Sequence, residues 1–196
     1  MLSEKDTLDT LEESNDESIL TLKKNNVHIL KLTNLVQINS NQFSISIPLY
    51  LMNLIYNNTL KIDFNVKIKK QKNDIYTSKF PPKISIGDFV NKIIKFSKTS
   101  ESTFILALIY LDRFCKLNDY ILTDYNTHRL FLTSLLIAKK YNEDNFYSNI
   151  FFAKVCGIKL KELNIMEYNF LVDLSFTLYV KNSITDKYRK KLLSTI

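Results

Sequence analysis

Glycine is almost missing from this sequence: Gly87 and Gly157 are the only two in 196 residues. Loops that cradle phosphate, GxGxxG and GxxxxGK(S/T), need closely spaced glycines so that backbone N–H groups can approach the anion. Neither pattern can be written here, which all but excludes nucleotide chemistry through a glycine loop. Cysteine is also scarce. Cys115 and Cys156 lie far apart, each in an apolar stretch, so there is no disulfide framework, in keeping with a reducing compartment. With His28 and His128 they are the Cys and His candidates for zinc, and no two have ligand spacing. Hence no metal and no cofactor is expected. A Cys115–His128 nucleophile pair would lack an orienting third group, so catalysis by this chain is not expected either. No apolar run approaches the roughly 20 residues that span a bilayer, and the N-terminus lacks the basic start and apolar run of a signal peptide. The expectation is a soluble intracellular protein of the nucleus or cytoplasm, with no membrane partner and no small-molecule substrate.

Apolar residues are plentiful, at 45%, enough to build a packed core in one domain with an extension. Charge is unevenly placed. Residues 1–18 hold seven acids against Lys5, a balance of −6, so the rest of a chain that is +7 overall carries +13. A basic body with an acidic head fits a nucleic-acid binder with a self-masking tail, a body that meets an acidic partner, or a solvated tail beside a basic surface with no specific target.

Residues 1–18 read as a disordered acidic tail and 19–80 as an N-terminal extension. Within the extension, apolar residues at helical spacings predict a helix over Ile19–Val36, and a short helix fits Leu49–Tyr56 after Pro48. Phe43, Ile45 and Ile47 alternate with serines, and Leu60, Ile62, Phe64, Val66 and Ile68 alternate with polar residues. That period of two places a small hairpin-like β element within 43–69. "KIKKQKND" and "FPP" then read as a linker.

From Pro82 onward the pattern is helical. "ISIGDFVNKIIKFSKT" carries Ile86, Phe89, Ile93, Ile94 and Phe96 on one stripe. Thr99 or Ser100 can cap "SESTFILALIYLDRFCKLN", with Glu101 near the positive helix end. Thr123 or Asp124 can cap a third helix that includes Thr127–Tyr141. A fourth covers Ser148–Val155 with Gly157 as its C-cap, a fifth starts near Leu160, and Ile184, Tyr188 and Leu192 mark a last amphipathic piece. The second and third helices are apolar on nearly every side. In a four-helix bundle each helix keeps a wet face, so here central helices must be wrapped by others. The fold class is all-α.

The segment "NTHRLFLTSLLIAKKYNEDNFYSNIFFAKVCGIKLKELNIMEYNFLVDLSFTLYV" (126–180) resembles the cyclin box of the PHO-type (P/U-type) cyclins, whose pattern runs HRLLxT, A-x-K, AKVGG, ELNxLExxFL. Upstream, "YLDRF" at Tyr110–Phe114 resembles the cyclin signature. The likeness covers about 81–180, with 181–196 left as a C-terminal helical segment. It implies a five-helix cyclin box with a central buried helix, and a chain that binds and activates a cyclin-dependent protein kinase. It further implies that a lysine ending the third box helix and a glutamate within the fifth hold kinase backbone beside the αC helix. On the aligned motifs these are Lys140 and Glu167, while Lys139 is a solvated or packing lysine. Judged without the motif, Lys140 is an ordinary C-terminal lysine and Glu167 an edge residue beside an apolar stripe. Two departures stand out: Cys156 replaces one glycine of the usual pair, and no arginine in the first box helix is available for Asp112, leaving Lys92 or a local cap as its partner. Arg113 and His128 read as structural. The competing function is a cyclin-fold nucleic-acid-binding factor, although the lysines (67–72, 92–98, 187–191) form no stripe with interleaved aromatics.

Overall fold

In the computed structural model, residues 43–61 and 74–194 are described. By its contacts the chain divides into two units, Met1–Asn41 and Gln42–Ile196, and every described element belongs to the second. Seven helices are found among the described residues, with no strand: α1 Phe43–Lys61, α2 Ile86–Ser97, α3 Glu101–Leu117, α4 Thr127–Asn142, α5 Asn149–Cys156, α6 Leu160–Asp173 and α7 Asn182–Leu193. None is long and apolar enough to cross a membrane.

The expected hairpin-like element is corrected where it can be seen. Residues 43–61 are a single helix with Pro48 inside it. Ile45, Ser46, Ile47, Leu49, Tyr50 and Leu51 are all buried, so Ser46 is a buried polar position rather than the wet side of a strand. The alternating stretch 62–69, the helix expected over 19–36 and the acidic tail lie outside the described residues.

Local chemistry sets the other helix ends. At α2, the Ser85 hydroxyl accepts from the Asp88 N–H (3.1 Å) and donates to the Asp88 carboxylate (2.8 Å), which closes the first turn. Ser100 caps α3 by accepting from the Thr103 N–H at 3.4 Å. For α4 the cap position is Asn126, not Thr123 or Asp124. The Asn126 side chain folds back to the Thr123 N–H (2.8 Å) and the Ile121 carbonyl (2.9 Å), so the preceding turn is rigid. Gly157 ends α5 at φ +69°, the left-handed region.

α3 and α4 pack against each other at the centre. α6 lies on α4, α5 on α6 and α2, and α1 and α7 close the far side against α2 and α3. Phe104–Leu111 and Leu130–Lys139 are buried without a break, which is why neither helix shows an amphipathic stripe. An aromatic cluster locks α3 to α6: Phe114 stacks on Phe170 at 4.6 Å, and Tyr76 meets both rings edge-on at 5.2 and 6.3 Å. Each such pair adds about 0.5–1.5 kcal/mol beyond its buried area. Arg129, in the first turn of α4, donates to the Ile75 carbonyl at 2.8 Å and pairs with Glu162 on α6. These ties fix the angle at which α4 passes α6, and so what stands at the end of α4.

Candidate functional site

A helix turns about 100° per residue, so the adjacent lysines that end α4 leave it in different directions. Lys139 turns inward. It is 1% exposed and its ammonium pairs with Glu143, four residues on. The solvated reading of Lys139 is therefore corrected, and the packing reading holds. Lys140 turns toward α6, where its Nζ donates to Glu167 Oε1 at 2.6 Å. The two residues picked out by the sequence motifs, 27 positions apart, are brought together.

Asn149, at the start of α5, completes the group. Its amide donates to Glu167 Oε2 at 2.7 Å and to Asn164 Oδ1 at 2.8 Å. Both carboxylate oxygens of Glu167 are thus engaged, and its side chain is 14% exposed against 32% for Lys140. An ammonium carries three donors and a carboxylate about four acceptor sites, so the pair retains capacity on both sides for a main-chain segment laid across it. Tyr141, Ile150 and Tyr168, the residues that directly follow Lys140, Asn149 and Glu167, are all exposed.

Asp112, whose partner the sequence left open, bonds neither Lys92 nor a local backbone group. Its Oδ2 accepts from the Tyr50 hydroxyl of α1 (2.9 Å) and the Tyr188 hydroxyl of α7 (2.6 Å). Burial, and then the neighbouring Asp112 charge, push the Tyr50 phenol well above its ordinary range. Burial followed by the bond to Asp112 does the same to Tyr188. Arg113 is structural, donating to the carbonyls of Thr177 and Tyr179, and so holds the segment that leads into α7.

The remaining candidates have settled roles. His128 Nε2 bonds the Ile84 carbonyl at 3.0 Å and its ring lies against Phe89 at 5.0 Å, so it is committed to tying α2 to α4. Burial pushes the Cys115 thiol up to about 12, aided by Asp112, and burial does the same to Cys156. Among the described residues no group of His, Cys, Asp and Glu is arranged to hold a metal ion.

Sequence reasoning missed three participants. Glu143 had a readable signal, its i+4 spacing from Lys139. Asn149 and the Tyr50–Asp112–Tyr188 group had none, being joined only by the tertiary fold.

A family model described as cyclin matches residues 5–178, starting well ahead of the likeness read from motifs. Cyclin-U4-3 of Arabidopsis thaliana is 38% identical over 121 residues, covering 61% of this chain and 55% of the relative. Cyclin-P4-1 of Oryza sativa subsp. japonica is 43% identical over 100 residues, or 50% of this chain and 47% of the relative. Cyclin-U2-2 of Arabidopsis thaliana is 36% identical over 118 residues, with 60% and 51% covered. The chain spans about half the length of the relatives it matches.

Proposed function

The chain belongs to the cyclin family, and on that premise we propose that it is a regulatory subunit that binds and activates a cyclin-dependent protein kinase. It supplies no catalytic group to phosphoryl transfer. It docks on the kinase so that the αC glutamate pairs with the ATP-binding lysine, a contact that kinase activity requires. Lys140 donates to kinase main-chain carbonyls and Glu167 accepts from kinase N–H groups beside αC.

The observation that carries this reading is the Lys140–Glu167 pair, 2.6 Å apart on two different helices and open on the lysine side. The Lys140 side chain keeps 32% of its surface exposed, which leaves its ammonium within reach of a docking partner. The nucleic-acid reading has less behind it. Arg189 of the basic helix α7 is paired with Glu101, and Lys191 sits over the Tyr50 ring at 4.9 Å.

The test is kinase binding and activation by Lys140→Ala, Glu167→Ala and the double variant, with thermal melts to confirm folding. Each single change should weaken binding and the double should weaken it further, with melts near wild type. A double variant that binds and activates the kinase as the wild type does would overturn the assignment. The kinase itself is to be found by pull-down from native extract.

A further inference from the structure

Lys140 stands in the last turn of α4, three residues before the chain becomes extended at Glu143. Helix ends fray, and a docking ammonium on a fraying turn would have to be ordered again at each encounter. This turn is tied down instead. Glu143 Oε1 accepts from the Ser100 N–H (2.9 Å), the Ser100 hydroxyl (3.1 Å) and the Thr103 hydroxyl (2.7 Å), all at the start of α3. Its other oxygen takes the Lys139 ammonium. Asn142 adds bonds from its amide to Ser102 Oγ (3.1 Å) and Thr103 Oγ1 (3.0 Å). The residues after Lys140 are therefore fastened to the N-terminal turn of α3, and Lys139, just before it, is tied to them through Glu143.

Stability alone does not account for a buried ammonium there. A buried ion pair can often be exchanged for apolar side chains at no loss of stability, whereas breaking one by removing a single partner is costly. Burial raises the Glu143 carboxyl, but the bonds from Lys139, the Ser100 N–H and the Thr103 hydroxyl outweigh it and hold the group below its ordinary value.

We propose that Glu143, held in place by Lys139, is a positioning residue for Lys140: by bolting the end of α4 to the start of α3 it presets the direction in which Lys140 meets the kinase. The inference rests on the kinase-docking reading above. The Lys139 and Glu143 side chains are largely buried and bonded to each other, so the effect expected of them is one that passes through Lys140.

A double-mutant cycle on kinase affinity tests this, using wild type, Glu143→Ala, which removes the acceptor for Ser100 and Thr103, Lys140→Ala and the combination. Glu143→Ala should weaken binding roughly three- to thirtyfold in the wild-type background and leave affinity unchanged where Lys140 is already alanine. Because Glu143→Ala strands a buried charge and can unfold the protein, Lys139→Met/Glu143→Ala is run beside it. That pair removes both charges and the acceptor, its folding is checked by a thermal melt, and it should show the same loss and the same dependence on Lys140. Equal losses in both backgrounds, or wild-type affinity in the neutralised pair, would overturn the proposal while leaving kinase docking in place. A Lys140→Ala variant that binds normally would overturn docking by this site, and the positioning role with it.

Discussion

Replacing Tyr188 with phenylalanine keeps its ring on α7 and removes one hydroxyl, the donor to Asp112 at 2.6 Å. A hydrogen bond to a charged acceptor contributes about 1.5–3 kcal/mol. Tyr188 is half-buried, so about 1.5 kcal/mol is the expected loss. Tyr50 is 4% exposed, and Tyr50→Phe belongs at the upper end, about 2–3 kcal/mol. Both hydroxyls reach the same oxygen, so the variants should not be independent. With either tyrosine present Asp112 keeps a strong donor, and with both gone a half-buried carboxylate loses both. The double variant should exceed the sum of the singles by about 0.5–3 kcal/mol. Urea unfolding at neutral pH, with an unchanged slope against denaturant, measures each value. Alkaline pH supplies a second reading. A phenol whose folded pKa is raised lends stability that is full below the unfolded tyrosine value of about 10 and is lost as pH rises above it. The wild type should therefore weaken more steeply above that value than the double phenylalanine variant. A Tyr188→Phe loss under about 0.5 kcal/mol, or a double loss equal to the sum, would refute Asp112 as a shared anchor.

Burial holds His128 below its ordinary pKa, so its contribution is present above the unfolded value of about 6.5 and lost as pH falls below it. Melts at neutral and mildly acid pH should differ less for His128→Gln than for wild type, and an unchanged difference refutes this. Cys115 and Cys156, with thiols pushed up to about 12, should react slowly with Ellman's reagent in the native protein and both titrate in guanidinium. Fast labelling of either native thiol would contradict their burial. Gly157→Ala meets open space at the added Cβ but keeps a φ of +69°, so it should cost about 1 kcal/mol by urea unfolding from backbone strain alone. A loss several times larger would mean that the turn does more than end α5.

The central helices were legible because wrapping leaves a plain mark: Phe104–Leu111 is apolar throughout, and Leu130–Ala138 is apolar except for Thr133 and Ser134. Lys140 and Glu167 could be picked out from the aligned motifs, but the bond between them, across two helices, was not foreseen. α1 was legible only in part, as the short helix over Leu49–Tyr56, and its first turns were missed for a physical reason. A helix buried on several faces has no period to display, and Ser46, buried among isoleucines, made five residues look like a strand. The partners of Asp112 were sought among nearby opposite charges. The fold used neutral hydroxyls 62 and 76 positions away, a choice that no local pattern encodes. The inward turn of Lys139 was readable only as an i+4 pairing with Glu143, whose reach to Ser100 and Thr103 is again tertiary.

The anchor at Asp112 also sets a timetable. Tyr188 follows Asp112 by 76 positions, and at about 5–20 residues per second a ribosome takes roughly 4–15 s to cover that distance. During that interval α3 has been made but α7, which packs against it, has not. Lys191 and Tyr50, which meet in the folded protein, are 141 positions apart, so this side of the core closes only once α7 has been made. The nascent chain carries an apolar flank and a half-bonded carboxylate for seconds. Chaperone demand should therefore rise sharply in chains that stop short of α7.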